Sequence, residues 1–211
     1  MLNFDAAMAE LPLVAVLRGL QPTEALGIGQ VLFAAGFRLI EVPLKSPEPL
    51  QSIRLLSEKF GHVALVGAGT VMSIQAARDV AAAGGRLIVM PHRDTDVIRA
   101  AKDFGAFVAP GIATPTEAFA ALAAGADALK AFPAEMIPPA AVGAMRAVLP
   151  KGTRILPVGG ITPETMAPYY AVGAAGFGLG SALFKPGMTV DDVAARAAKF
   201  VAAWRKLPAA S

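Results

Sequence analysis

The stretch TPTEAFAALAAGADALKAFPAE, residues 114–135, contains a complete helix–strand unit and decides the fold. It opens with Thr, then Pro at the first helical position and a Glu soon after, which is the usual chemistry of a helix N-terminus. Gly125 ends the predicted helix, since the residue after a helix often needs a positive φ. The run ALKAFPA, 128–134, is apolar apart from Lys130 and predicts a buried parallel strand.

The same unit recurs along the chain. The phrase AAG precedes a predicted strand at 34–36, 82–84 and 123–125, and TPETMAPYYAVG, 162–173, predicts another helix by the same N-terminal pattern. The apolar runs are rich in Val, Ile and Leu and lack polar alternation, as is typical of buried parallel strands. The eight predicted strands are LVAVLRG 13–19, LIEVPLK 39–45, ALVGAGTV 64–71, RLIVMPH 86–92, FVAPGIA 107–113, ALKAFPA 128–134, RILPVGG 154–160 and AGFGLGSAL 175–183.

Eight strand–helix units without a long linker or an extra lobe predict an α/β chain folded as a (β/α)8 TIM barrel with a short N-terminal helix. We expect a single barrel domain over residues 1–211, a length common for this architecture. A doubly wound open sheet is the alternative. It would carry a glycine-rich dinucleotide turn after its first strand, and LRGLQPTE, 17–24, is not such a turn.

Composition narrows the class of protein. Hydrophobic residues make up 55% of the chain and charged residues 17%, which suffices for a large core and for apolar surface between subunits. The net charge of +3 does not indicate a nucleic-acid or membrane partner. No run approaches ~18 consecutive apolar residues, and Asp5 and Glu10 lie where a signal peptide needs positive charge, so we predict a cytoplasmic protein. With no Cys and two His, no metal site is expected.

Two ionisable residues, Glu41 and Lys130, lie inside apolar strands. In a barrel the chemistry takes place at the C-terminal ends of the strands, where a neutral lysine amine can attack a ketone and form a Schiff base. Burial and nearby cations lower the pKa of an amine enough to allow this. The structural alternatives are a lysine that extends to water and a glutamate that faces solvent or is held in an ion pair. The presence of both residues favours catalytic roles.

Three more polar residues lie at strand ends. Arg18 is a candidate for binding a carboxylate or phosphate, and alternatively for pairing with an acid such as Glu41. Lys45 is predicted to face the same way as Glu41, because side chains alternate along a strand. Thr70 stands in GAGTV, whose glycines would let a ligand approach the backbone, although a β-branched residue is also ordinary in a strand.

Glycine-rich segments follow the last two predicted strands, GG at 159–160 and GLGS at 178–181. They match the phosphate site of barrels, which is built from backbone N–H groups and a helix N-terminus after strands 7 and 8. We therefore predict that Gly160, Gly180 and Ser181 bind phosphate. The alternative is that these glycines serve only tight turns.

A set of motifs resembles the class I 2-keto-3-deoxy-6-phosphogluconate/6-phosphogalactonate aldolase family. The resemblance runs from about Pro12 to the final helix, and the motifs together are far more specific than any one alone. In chain order they are LRG 17–19, EVPLKSP 41–47, GAGTV 67–71, PGIAT 110–114, ALKAFPAE 128–135, PVGGITPE 157–164 and GLGS 178–181.

The resemblance implies a lyase, a homotrimeric barrel that cleaves a phosphorylated 2-keto-3-deoxy acid into pyruvate and glyceraldehyde 3-phosphate without a cofactor or metal. By this likeness Lys130 is the Schiff-base residue and Glu41 is the glutamate that moves protons. Thr70 contacts the pyruvate carboxylate, and the glycine and serine segments hold the phosphate.

Two positions bear on the substrate. Gluconate-specific members usually have arginine where this chain has Lys45, and threonine where it has Val158. The galactonate-specific branch resembles this chain better, and there Arg18 binds the carboxylate. Lys45 matches neither branch, and FPAE, 132–135, resembles the gluconate branch. The expected substrate is 2-dehydro-3-deoxy-6-phosphogalactonate, and the alternative is its gluconate epimer, with 4-hydroxy-2-oxoglutarate as a further substrate.

Two other functions are compatible with a barrel of this kind. A sugar-phosphate isomerase or epimerase would share the phosphate glycines, but it would not need Lys130, and a metal-dependent one would need more histidines and acids. A barrel that only binds a phosphorylated metabolite would bind its ligand tightly but would form no imine for borohydride to reduce and trap.

Overall fold

The computed structural model describes residues 2–208; Met1 and residues 209–211, which belong to the predicted domain, lie outside the described residues. None of the helices in the described range is long and apolar enough to cross a membrane. The strands are β1 Leu13–Val16, β2 Leu39–Pro43, β3 Leu65–Gly69, β4 Leu87–Val89, β5 Phe107–Ala109, β6 Gly111–Ile112, β7 Leu129–Ala131, β8 Ile155–Pro157 and β9 Phe177–Leu179. The helices are α1 Phe4–Glu10, α2 Pro22–Ala35, α3 Pro49–Phe60, α4 Ile74–Ala82, α5 Thr95–Asp103, α6 Pro115–Ala123, α7 Pro139–Val148, α8 Met166–Ala171 and α9 Val190–Arg205, with a short 3-10 helix, Ala134–Met136, after β7.

One of the two predicted helix starts is confirmed and the other is wrong. At α6 the Thr114 hydroxyl accepts a hydrogen bond from the Glu117 N–H, and the Glu117 carboxylate accepts one from the Thr114 N–H. At α8 the helix begins at Met166. The Thr165 hydroxyl accepts from the Thr162 N–H and closes a turn over 162–165, so the Thr-Pro-Glu pattern there forms a turn before the helix.

The predicted strands are confirmed, and the fifth one is divided. Strands pair in parallel in two sheets among the described residues, in the orders β5-β4-β3-β2-β1-β9 and β6-β7-β8. The division falls at Pro110, which has no N–H to donate to a neighbouring strand. β8 and β9 meet at one bridge, between Val158 and Gly178. The pairings thus form a curled parallel α/β sheet in two parts, and the predicted continuous eight-stranded barrel is not shown by them.

Side chains alternate along the strands, so β1, β2, β3, β4, β5 and β8 each contribute to two apolar clusters. One cluster lies between the sheets and the surrounding helices. The second fills the interior, where Phe4 and Met8 of α1 pack on residues near the starts of the strands. The strand residues of this interior cluster are Val14, Leu39, Leu65, Leu87, Val89, Ala109, Ala128 and Leu156. Because α1 closes this end, the interior polar residues lie toward the C-terminal ends of the strands.

Candidate active site

Glu41 of β2 and Lys130 of β7 lie in the interior, with only 1% and 7% of each residue exposed. Both line an interior cavity of about 20 Å³, together with Val158. Lys130 and Val158 also line a larger cavity of about 530 Å³, which connects the interior to the mouth of the sheet. Neither charged side chain therefore extends to water, which removes the solvent-facing alternative for both.

Burial shifts both groups toward their neutral forms. It raises the pKa of Glu41 from 4.5 to about 7, although the charges of Lys130 and Arg18 and the N–H of Gly69 lower it in part. Burial also lowers the pKa of Lys130; the Glu41 carboxylate opposes this effect and the Arg18 guanidinium adds to it. A lysine needs its neutral amine to attack a carbonyl, so this environment favours a nucleophile.

Gly69 makes room for the Glu41 carboxylate. A Cβ atom at residue 69 would overlap that carboxylate, so any other residue here would displace it. The Oε2 atom of Glu41 is buried and has no hydrogen-bond partner within residues 2–208. Buried polar atoms are nearly always hydrogen-bonded. This oxygen is therefore placed to accept a proton from a bound hydroxyl group or water.

Thr70 directly follows β3 and has a backbone φ of 60°. A β-branched residue with positive φ is an outlier that costs of order 1–3 kcal/mol, and such strain is concentrated at functional sites. The side chain is half-buried beside the strand end that holds Gly69. The conformation supports a functional role for Thr70 instead of an ordinary strand position.

Phe132 faces the amine and was not predicted as a site residue. The Lys130 Nζ atom lies 4.5 Å from the centroid of the Phe132 ring. An aromatic face attracts a cation at this distance. The ring would therefore stabilise a positively charged iminium on Lys130 without donating a proton to it.

The 530 Å³ cavity brings together most of the predicted site residues. Those on its wall are Arg18, Lys130, Val158, Gly160, Gly180 and Ser181. Glu41 lies behind them in the interior cavity, and Thr70 lies at the neighbouring strand end. The structure thus gathers residues from β1, β2 and β7 and from the loops after β8 and β9 at one mouth.

Lys45, like Thr70, lies on the wall of neither cavity. β2 ends at Pro43, so strand alternation does not extend to residue 45, and the prediction that Lys45 faces the same way as Glu41 is wrong. The Lys45 side chain is exposed and is absent from the cavity wall. Its neighbour Ser46 is buried instead and accepts a hydrogen bond from the Gly19 N–H at 2.9 Å. A substrate contact of Lys45 stays a prediction.

Backbone N–H groups with no acceptor lie on the wall of this cavity. Within residues 2–208, no protein acceptor takes the N–H groups of Gly160, Ile161, Ser181 or Ala182. Gly160 has a φ of 61°, a conformation that suits glycine and that exposes successive N–H groups in anion-binding loops. The two loops therefore offer four donors to one anion, as expected for a phosphate.

Charged residues that the sequence did not single out also line the cavity, namely Glu135, Lys185 and Arg196. Glu135 packs against the double glycine, where a Cβ at residue 159 would overlap its carboxylate. No group of three or more His, Cys, Asp or Glu side chains within residues 2–208 could hold a metal ion.

Replacing Glu41 by Gln is expected to make stability less dependent on pH. Because burial raises the pKa of Glu41 from 4.5 to about 7, the fold favours the protonated acid. Its contribution to stability is complete below pH 4.5 and is lost as the pH rises through 7. The wild-type protein should lose about 2–3 kcal/mol more than Glu41→Gln between pH 4 and pH 8 in urea unfolding. If the free energy of unfolding changed with pH by the same amount in both proteins, ionisation of the buried Glu41 would cost the folded state little.

Comparison with known proteins agrees with this geometry. Residues 4–198 match the family model described as KDPG and KHG aldolase. A probable 2-dehydro-3-deoxy-6-phosphogalactonate aldolase of Rhizobium meliloti is 47% identical over 92% of each chain. A native KDPGal structure superposes with a TM-score of 0.92 at 46% identity, covering 93% of this chain and 96% of that one. A KDPG aldolase from Legionella pneumophila, solved with pyruvate captured as a covalent carbinolamine intermediate, has a TM-score of 0.80 at 27% identity over 94% of each chain. The chain belongs to the KDPG and KHG aldolase family.

Proposed function

We propose that the protein is a Schiff-base aldolase that cleaves 2-dehydro-3-deoxy-6-phosphogalactonate to pyruvate and glyceraldehyde 3-phosphate. The observation that carries this proposal is the burial of Lys130 and Glu41 on one small interior cavity, which shares the Lys130 wall with the 530 Å³ cavity. Its outer wall holds the unpaired N–H groups of the two glycine loops. The names of the galactonate relatives at 46–47% identity support the substrate.

Both ends of the substrate are bound before the reaction. Arg18 and Thr70 hold the C1 carboxylate, and the loops of Gly160 and of Gly180 and Ser181 hold the phosphate. Fixing both ends orients the C3–C4 bond relative to the imine that forms on Lys130. Positioning of this kind lowers the activation barrier of a reaction by up to several kcal/mol. The electrostatics are consistent with a carboxylate beside the amine, since the positive charge of Arg18 acts on both Glu41 and Lys130 and lowers the pKa of each.

Lys130 attacks the C2 ketone as the neutral amine, and loss of water from the carbinolamine gives a protonated imine. Glu41 accepts the proton of the C4 hydroxyl, the C3–C4 bond breaks, and its electron pair passes into the imine to form an enamine. Glyceraldehyde 3-phosphate leaves. The enamine then takes a proton at C3 from Glu41, and hydrolysis frees pyruvate and Lys130. Phe132 stabilises the cationic imine through its ring.

Release of pyruvate from each of the two epimeric phosphorylated acids, measured in a coupled assay, tests this function. The value of kcat/KM is measured for each acid under the same conditions. We expect the galactonate acid to have the higher value. Pyruvate release from neither acid would refute the proposal, and a higher kcat/KM for the gluconate acid would favour the alternative substrate.

Val158→Thr is expected to shift epimer preference toward the gluconate acid. Val158 is 9% exposed and lines both cavities beside Lys130, so a hydroxyl there would lie near the substrate carbons that react. A new hydrogen bond to one C4 configuration should change the ratio of kcat/KM values about tenfold. Val16→Thr, an isosteric change on another wall of the same cavities, is the matched control. An unchanged ratio in Val158→Thr would place the discrimination elsewhere.

Further parts of the proposal concern the whole protein. We propose that residues 1–211 form a single domain in which the two sheets act as one (β/α)8 barrel, that the protein is a cytoplasmic homotrimer, and that it needs no cofactor, metal, nucleic acid or membrane. Large apolar side chains at the surface support an assembly, among them Phe119 at 46% and Met136 at 78% exposure. Light scattering on the purified protein would determine the number of subunits.

A further inference from the structure

Arg196 lies near the middle of α9 and reaches toward the loop after β9. Its Nη1 atom donates hydrogen bonds to the carbonyl oxygens of Ser181 and Ala182, at 3.3 and 3.2 Å. Both residues also have N–H groups with no acceptor within the described chain. Arg196 also lines the 530 Å³ cavity itself. A single guanidinium thus contacts both the loop and the cavity.

The charge of Arg196 is not neutralised by a direct ion pair. No carboxylate within residues 2–208 lies at salt-bridge distance from its guanidinium. Asp192, one turn earlier on α9, accepts hydrogen bonds from the N–H and the hydroxyl of Thr189 and caps the helix. Its carboxylate is engaged in the cap and interacts with Arg196 only through space. The hydrogen bonds from Thr189 lower the pKa of Asp192 most, and the charge of Arg196 contributes to lowering it. The hydrogen bonds of Arg196 go to the loop instead.

The hydrogen bonds have a consequence for the loop. A carbonyl held by an arginine points toward it, which fixes the orientation of the peptide plane that carries the next N–H group. The Ser181 carbonyl orients the free N–H of Ala182 in this way. By contrast, the Ala182 carbonyl orients the Leu183 N–H, which donates to the Gly180 carbonyl. Because the loop is ordered before an anion arrives, less conformational entropy is lost on binding. The guanidinium of Arg196 attracts a dianion bound in this cavity, whereas the Glu135 carboxylate on the same wall repels it.

We infer that Arg196 is a positioning residue for the phosphate group of the substrate: it holds the Ser181–Ala182 peptide in the orientation that exposes the Ala182 N–H, and it adds positive charge at that end of the cavity. This inference rests on the proposed phosphate-binding role of the two glycine loops. It assigns no part of the bond cleavage to Arg196, because Lys130 and Glu41 lie at the inner end of the cavity.

Kinetics on a phosphorylated and an unphosphorylated 2-keto-3-deoxygalactonate test the inference. Arg196→Gln should raise KM for the phosphorylated acid about tenfold, as expected for loss of charge-assisted hydrogen bonds. Its kcat, its kcat/KM for the unphosphorylated acid and borohydride trapping with pyruvate should stay at wild-type values. Arg196→Lys should fall between Gln and wild type, because an ammonium keeps the charge and loses the planar pair of donors. Arg205→Gln, an exposed position in the last turn of α9, is the matched control and should match wild type.

The outcomes separate this inference from the proposed function. An equal loss of kcat/KM on both acids in Arg196→Gln would show a purely structural role, and no change on either acid would show no role; both results overturn the inference. If the wild-type protein itself does not prefer the phosphorylated acid, the proposed phosphate site fails, whatever Arg196 does.

Discussion

Lys130→Met should abolish cleavage, with kcat/KM reduced by about 10⁴-fold or more, as for the loss of a nucleophile in other covalent catalysts. The amine is the only part removed, since Met keeps the length and apolar character of the side chain in its buried position. Among the described residues Lys130 is the one lysine on the interior cavity, and Lys185 lines only the larger cavity. The same variant should no longer be labelled when pyruvate and borohydride are added together.

Mass spectrometry locates the label. In the wild-type protein we expect a pyruvyl-derived mass on the peptide that contains Lys130, and none in Lys130→Met. Lys151→Met, an exposed lysine outside the cavity, is the matched control and should keep both activity and label. A label on another peptide, or a Lys130→Met variant that still releases pyruvate at near wild-type rate, would refute the Schiff-base assignment. Thermal unfolding of both variants establishes that they are folded.

Glu41→Gln should reduce kcat by about 10²- to 10⁴-fold, the range for loss of a general base. Glutamine fits the space beside Gly69 but cannot accept the C4 hydroxyl proton. The wild-type rate should rise with pH through the pKa of Glu41 at about 7, because the ionised form is the base. This rising part of the pH–rate profile should be absent in the variant. Activity measured from pH 5 to 9 gives both results.

Two further measurements separate proton transfer from imine formation. Glu41→Gln should still be labelled by pyruvate and borohydride, since removing the carboxylate leaves Lys130 neutral and exposed to the cavity. It should lose exchange of the C3 protons of pyruvate with D₂O, because exchange requires the base in addition to the imine on Lys130. Loss of labelling together with exchange would show that Glu41 acts in forming the imine, and retained exchange would exclude it as the base.

The residues predictable from sequence are those whose type conflicts with their setting. Lys130 and Glu41 stand in apolar strands, and glycines repeat after the last two strands, so each is visible without coordinates. Arg196 and Phe132 carry no such signal. An arginine on the polar face of α9 is ordinary for an amphipathic helix, and a phenylalanine next to a buried strand is ordinary core. Only the fold shows that they reach the cavity.

The errors have physical causes as well. The prediction for Lys45 extended strand alternation past Pro43, where β2 ends and the chain turns. The division of the fifth strand depends on Pro110, which the apolar pattern hides because proline breaks the hydrogen-bond ladder without changing hydropathy. At 162–165 a hydroxyl that is able to cap a helix closes a turn instead. Each of these features depends on backbone hydrogen bonds, which periodicity does not report.

The packing of α1 against the interior bears on the path by which products leave. Phe4 and Met8 pack at the end of the sheet behind Lys130 and Glu41, so the 530 Å³ cavity is the route that the described residues offer to substrate and products. In the proposed reaction the phosphate lies near the mouth, and the three-carbon fragment bonded to Lys130 lies behind it. The aldehyde therefore departs first and pyruvate last, so pyruvate is the product that competes with substrate for the empty enzyme.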